Sequence, residues 1–226
     1  MPDGQKITRE TKTLFLVVCR SRTGSNLLLD CLKQHPNIFV RGELFKNQAI
    51  NAEEQIKHWL KRPEKALGCK LFYYHATKRQ EYVWDFLNEN PKIQLIHLTR
   101  KDKARTVVSQ IIASKTKIWK QKFSWKLPLF FRRIHLDPKL LTSEIQKTIN
   151  WENDFRMRFN HRHILEISYE NFTSKPQETL DNIFDFLGLE RKRIQLRLKK
   201  QNPENIRRLV KNWNELEHLL KNSFEG

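Results

Sequence analysis

The segment Arg20–Asn26, RSRTGSN, follows directly on the apolar run Thr13–Cys19 (TLFLVVC) and leads into a stripe formed by Leu27, Leu28, Cys31 and Leu32. That is the composition of a turn opening a helix at the carboxyl end of a strand. Successive backbone N–H groups and the positive end of a helix make such a turn a ready phosphate site. Gly24 lets the backbone approach an anion closely, Arg22 adds a charge, and Thr23, Ser25 and Asn26 add side-chain donors. Read alone, the loop is equally compatible with a plain strand-to-helix turn. It is not the nucleoside-triphosphate loop GxxxxGK[ST]: Cys19 stands where the earlier glycine belongs, and Ser25 rather than lysine follows Gly24. A triphosphate enzyme also wants a magnesium-binding carboxylate after a strand, and the run LIHL is followed by Thr99-Arg100 instead.

The elements that must hold this loop read as alternating strands and helices. Thr13–Cys19 is apolar on both faces, as a central parallel strand covered by helices should be. Further strands are predicted at Leu67–Tyr73, Ile93–Leu98 and His163–Ile167. Helices are predicted at Ser25–Gln34, Asn51–Lys61, Gln80–Asn88, from an Asp102 N-cap to Ser114, at Thr142–Phe159, Pro176–Leu187 and Asn205–Leu220. Pro36 ends the first of these and Gly188 the one at Pro176. This rhythm predicts an α/β fold, a three-layer parallel sheet flanked by helices. The 226 residues suit one domain. A basic, aromatic insert or lid is expected at about residues 115–141: Lys115–Arg133 holds seven basic residues and no acidic one, interleaved with Trp119, Phe123, Trp125, Phe130 and Phe131.

The formal charge of +18 attracts anions in general, without choosing among nucleic acid, acidic membranes, phosphorylated cofactors and acidic glycans. Three cysteines, Cys19, Cys31 and Cys69, have no metal-type spacing and read as buried thiols of a reducing compartment. The N-terminus has no apolar core of a signal peptide, and no run reaches the roughly 20 apolar residues of a membrane span. A cytoplasmic setting, and no metal, are the expectations.

VVCRSRTGSNLLLDCL resembles the 5′-phosphosulfate loop of sulfotransferases that use 3′-phosphoadenosine 5′-phosphosulfate (PAPS), with Arg22 in place of the lysine of the cytosolic branch. HPNIFVRGELF resembles bacterial carbohydrate sulfotransferases of the nodulation-factor and trehalose type. IHLTRKDKARTVVS is similar to the family's 3′-phosphate motif, ISYENFTSKPQETLDNIFDFLGL to its late strand–loop–helix, and GCKLFYYH to the strand bearing a sulfuryl-contacting lysine. The motifs stand in family order over about residues 13–220.

The resemblance implies a P-loop-NTPase-like fold and a set of roles. Arg22, Thr23, Gly24, Ser25 and Asn26 would bind the 5′-phosphosulfate, Arg100 and Ser109 the 3′-phosphate, and Tyr169 the nucleotide. A guanidinium offers such a dianion two parallel hydrogen bonds, which a hydroxyl supplements. The nine-residue step from Arg100 to Ser109 is slightly wider than in the cytosolic branch. Lys199 and Lys200 resemble a basic loop that closes over the 3′-phosphate, and read equally as a solvated helix end. Arg22 and Lys70 would stabilise charge on the transferring group. The cytosolic branch places its histidine base two residues after the strand lysine, where this chain has Phe72; the resemblance to the bacterial carbohydrate branch, whose base is a glutamate in a segment like GELF, implies Glu43 instead. His75 and His35 are lesser candidates, and His97 reads as a satisfied core histidine.

The expected reaction is in-line transfer of a sulfuryl group from PAPS to an acceptor hydroxyl on a glycan or glycolipid. Residues 115–133 could stack on sugars, lie on an anionic membrane surface or pack as a lid. The alternatives are a basic nucleic-acid-binding protein, which would show steep salt dependence, and a P-loop-type kinase dependent on ATP and magnesium. Nucleic acid is not the partner the motifs favour.

Overall fold

The computed structural model describes residues 12–46, 51–75, 82–117, 133–197 and 205–221. Its centre is a parallel sheet of five strands, β1 (Thr13–Cys19), β2 (Ile38–Glu43), β3 (Ala66–Phe72), β4 (Gln94–Thr99) and β5 (Ile164–Ser168), in the order β2-β3-β1-β4-β5. The helices are α1 (Ser25–Leu32), α2 (Ala52–Trp59), α3 (Tyr82–Glu89), α4 (Lys103–Thr116), α5 (Pro138–Arg158), α6 (Tyr169–Ser174), α7 (Pro176–Phe186), α8 (Ile206–Leu209) and α9 (Trp213–Lys221).

Alternation along β1 explains the layers. Phe15, Val17 and Cys19 face α1 and α7, packing with Leu28, Leu32, Leu180, Ile183 and Phe184. Leu16 and Val18 face the opposite way, toward Val83, Trp84 and Leu87 of α3 and Phe155 of α5. With both faces covered, an apolar run of this kind has no face left for polar side chains. A third cluster joins Ala104, Val107, Val108 and Ile112 of α4 to Leu141 of α5 and to Leu209 and Leu216 of the tail.

The three-layer parallel α/β architecture agrees with the expectation, and the elements that differ do so for local reasons. β2 is an edge strand that the alternating pattern around Gly42 concealed; its register against β3 shifts between Arg41 and Glu43. α5 begins at Pro138 rather than Thr142, because Asp137 accepts a hydrogen bond from the Lys139 N–H (2.9 Å) and proline suits the first helical position. The tail is two helices instead of one. Val210 is extended and bridges Ile134, while the Asn212 side chain pairs with both the N–H and the C=O of Leu136 (3.0 and 2.8 Å).

Residues 118–132 of the aromatic-basic segment lie outside the described residues. Beyond them Ile134 and Leu136 are buried in the third cluster, so this end of the expected insert is part of the packed body. No helix among the described residues is long and apolar enough to cross a membrane.

Candidate active site

Ligands of open parallel sheets sit beyond the carboxyl ends of the strands, and here three strand ends converge. β1 delivers the loop Arg20–Gly24, β3 delivers Lys70 and β4 delivers Arg100. Lys70 and Arg100 share the strand face turned toward α1: Ile96 and Leu98 lie there on β4, and Phe72 on β3. The loop is thus flanked by one cation from each neighbouring strand.

The loop is held in an unusual backbone shape. Arg22 (φ 71°) and Gly24 (φ 89°) both lie in the left-handed region, and Thr23 between them donates its hydroxyl to the Arg20 carbonyl at 2.8 Å. Holding a non-glycine residue there costs on the order of 1 kcal/mol or more and persists where the surroundings over-determine it. Gly24 is the N-cap of α1 and provides no side-chain cap, so the helix N-terminus remains open to an incoming anion. Ser25 and Thr23 are buried beside Cys19. Burial pushes the Cys19 thiol up to about 11, which keeps it protonated and removes it as a nucleophile near neutral pH.

Arg22 and Arg100 meet across the loop. Arg22 Nε donates to Ser109 Oγ at 3.0 Å, and Arg100 Nη1 donates to the Arg22 carbonyl at 3.2 Å. Burial lowers the pKa of both guanidiniums, and the Arg100 charge lowers that of Arg22 further. Arg100 Nε is buried with no hydrogen-bond acceptor among the described residues; Glu170 Oε1 stands 3.9 Å away. Two desolvated like charges and an unsatisfied buried donor are what a bound dianion would relieve. The Tyr169 ring lies against the Arg100 guanidinium, 4.4 Å from its centroid, and against Gly24.

Lys70 forms the other half of the site. Only 2% exposed, it donates to Asn26 Oδ1 at 3.0 Å and pairs with Glu43 Oε1 at 3.3 Å, with its ammonium 4.6 Å from the centre of the Phe72 ring. Glu43 reaches Lys70 because β2 pairs with β3 at this register. It is the last residue of edge strand β2. Arg22, Thr23, Gly24, Ser25, Asn26, Glu43, Lys70, Arg100, Ser109 and Tyr169 are therefore gathered at one edge of the sheet. Lys199 and Lys200 lie outside the described residues.

The histidines separate. His75 ends the 3₁₀ turn Tyr73–His75 and sits 5.2 Å from the Phe72 ring, at the margin of the Lys70 cluster. His35 is turned inward, to the Glu190 carbonyl (3.0 Å) and the Asn37 N–H (3.1 Å). His97 is fully buried between the Tyr73 hydroxyl (2.5 Å) and Glu166 Oε1 (2.7 Å). Nδ1 faces the Glu166 carboxylate, and Nε2 faces the Tyr73 hydroxyl.

One residue went unrecognised in the sequence. Arg20 is 1% exposed and spends its donors on Gln110 of α4 and on Glu144 and Thr148 of α5. Strand alternation carried past Cys19 assigns Arg20 to the Leu16–Val18 face, which α5 covers, and that was the available signal.

Fold and site together define an α/β protein with a cation-lined anion cradle at the carboxyl edge of its sheet. The family model described as Sulfotransferase family matches residues 82–193. Nodulation protein H of Rhizobium meliloti is 23% identical over 89% of both chains, and that of Rhizobium tropici 25% identical over 89% of this chain and 87% of its own. A sulfotransferase from Alicyclobacillus acidocaldarius superposes with a TM-score of 0.58 at 16% identity, covering 94% of this chain and 93% of its own. Mouse sulfotransferase SULT7A1 complexed with PAP gives 0.51 at 13% identity, covering 82% and 60%. These likenesses make the chain a sulfotransferase by its 82–193 region, and its five-stranded parallel sheet has the fold of the solved sulfotransferases.

Proposed function

We propose that the chain transfers a sulfuryl group from PAPS to a hydroxyl of a carbohydrate or glycolipid. The observation carrying the donor half is the Arg22–Ser109–Arg100 constellation beside an uncapped helix N-terminus, where two anionic ends of one nucleotide can be held at once. A mouse neighbour solved with PAP supports the same reading. The buried Arg100 Nε fits a 3′-phosphate oxygen, and the uncapped N-terminus of α1 at Gly24 fits the 5′-phosphosulfate. Tyr169 lines the space between, against Gly24 on one side and Arg100 on the other.

In the transfer, the acceptor oxygen attacks sulfur and a new S–O bond forms. The bond from sulfur to the oxygen bridging the 5′-phosphate breaks, and that oxygen leaves on the nucleotide. Glu43 accepts the proton of the acceptor hydroxyl. Arg22 and Lys70 stabilise the charge gathering on the equatorial and bridging oxygens, as cationic clamps do in phosphoryl transfer. Asn26 holds Lys70 for this task through its 3.0 Å hydrogen bond.

The acceptor half rests on the GELF segment that ends β2 and on the likeness to nodulation protein H. The composition of the aromatic-basic segment at 115–133, with five aromatic rings among seven basic residues, suits contact with such an acceptor. The free, buried cysteines Cys19, Cys31 and Cys69 support a reducing, cytoplasmic setting.

The test is transfer of radiolabel from sulfur-labelled PAPS to a panel of oligosaccharides and glycolipids. Label is expected on a hydroxyl-bearing glycan with the wild type and on none with Arg22→Ala. Equal turnover by Arg22→Ala overturns the assignment of Arg22, and label appearing on proteins or phenols alone overturns the carbohydrate acceptor.

A further inference from the structure

The side chains of Arg20 and Gln110 touch none of Arg22, Lys70 and Glu43, the residues assigned to the transfer step, yet they join the two halves of the donor site. Gln110 Oε1 accepts three hydrogen bonds from the anion loop: Arg20 Nε at 3.2 Å, Arg20 Nη2 at 3.0 Å and Ser21 Oγ at 3.2 Å. Gln110 directly follows Ser109 on α4, and Ser109 Oγ receives Arg22 Nε from that same loop.

The other side of Arg20 is bound to α5. Glu144 takes Nη2 through Oε2 at 2.7 Å and Nη1 through its carbonyl at 2.9 Å, and Thr148 Oγ1 also receives Nη1. Burial lowers the Arg20 pKa and the Glu144 carboxylate opposes that shift. A buried guanidinium so fully satisfied cannot move without stranding donors away from water, which makes the knot rigid. Eight residues along α5, on the same side of the helix, Glu152 binds Lys103 Nζ at 2.7 Å, and Lys103 also donates to the Arg100 carbonyl at 2.7 Å. Helix α5 thus braces both the loop after β1 and the turn after β4.

We propose that Gln110 is a positioning residue: through Arg20 and Ser21 it fixes the distance between the 5′-anion loop and the Arg100–Ser109 pair, so that both ends of one nucleotide are met together. The inference rests on the PAPS reading above. It predicts that loss of Gln110 weakens the coupling between the two anion positions more than it weakens either position alone.

The readout is the ratio of dissociation constants for adenosine 5′-monophosphate and adenosine 3′,5′-bisphosphate, which isolates what the 3′-phosphate adds. Calorimetric titration of the wild type should give a large ratio. In Gln110→Ala the ratio should fall by about tenfold, the size of an ordinary site-to-site coupling, while binding of the monophosphate changes less. Gln110→Glu keeps an acceptor oxygen facing Arg20 and should restore the ratio. A lower melting temperature alone, with the ratio unchanged, is what a merely structural role produces and overturns the proposal. Should Gln110→Ala fail to fold, Ser21→Ala removes a single donor of the knot and must lower the ratio in the same direction; an unchanged ratio again overturns it. A wild type that binds both nucleotides alike overturns the donor reading itself, and the inference with it.

Discussion

The Tyr169 ring fills the space where a side chain on Gly24 would stand: a Cβ there would come within 2.8 Å of Cε2 and nearer still to Cδ2. The same ring lies against the Arg100 guanidinium, so one aromatic side chain joins the loop after β1 to the turn after β4. Gly24 also holds φ 89°, which side chains rarely adopt. Gly24→Ala should therefore cost about 1–3 kcal/mol of stability and abolish binding of adenosine 3′,5′-bisphosphate. Adding Tyr169→Ala removes the clash but not the backbone strain, so chemical denaturation of the double variant should show partial recovery. Wild-type stability of Gly24→Ala would contradict the loop geometry.

Glu43 lies 3.3 Å from Lys70 and can serve either as the base or as a tether for that lysine. Glu43→Gln keeps the size of the side chain and a hydrogen-bonding oxygen but loses basicity. If Glu43 is the base, kcat falls by about 10²–10⁴ while affinity for the bisphosphate stays near wild type. Steady-state kinetics with calorimetry separates the cases, and near-wild-type turnover removes Glu43 from the role.

Acid sensitivity is expected from Glu166. Burial alone would raise its carboxyl pKa; hydrogen bonds from His97 and Arg156, with their charge, outweigh this and hold it below the ordinary 4.5. A carboxylate depressed on folding adds stability above its unfolded value, and that stability is lost as pH falls from about 4.5 through the lower folded value. Melting temperature should drop over this window in the wild type, and more gently in Glu166→Gln. Superimposable acid limbs would show that the His97–Glu166–Arg156 chain does not set this dependence.

Much of this site was legible because its chemistry sits at strand ends that local pattern reveals. The apolar run to Cys19, the turn RSRTGSN and Arg100 after IHLT are all neighbours in sequence of the elements that aim them. The pairing of Glu43 with Lys70 was not legible. It needs the register of edge strand β2 against β3 and the irregularity at Gly42, which no local period encodes. Gln110 and Glu144 were hidden for another reason: polar residues on amphipathic helices read as solvated, and only packing against Arg20 reveals their partner.

The most direct test of the central claim is the melting temperature of the full chain with saturating adenosine 3′,5′-bisphosphate, beside Mg-ATP and a short oligonucleotide. A ligand at one hundred times its Kd adds about 2.7 kcal/mol, which for a chain of this size is about 5–10 °C. The bisphosphate should give that shift in the wild type and none in Arg22→Ala, with little from the other two ligands. Stabilisation by Mg-ATP or by the oligonucleotide, with no response to the bisphosphate, would contradict the account.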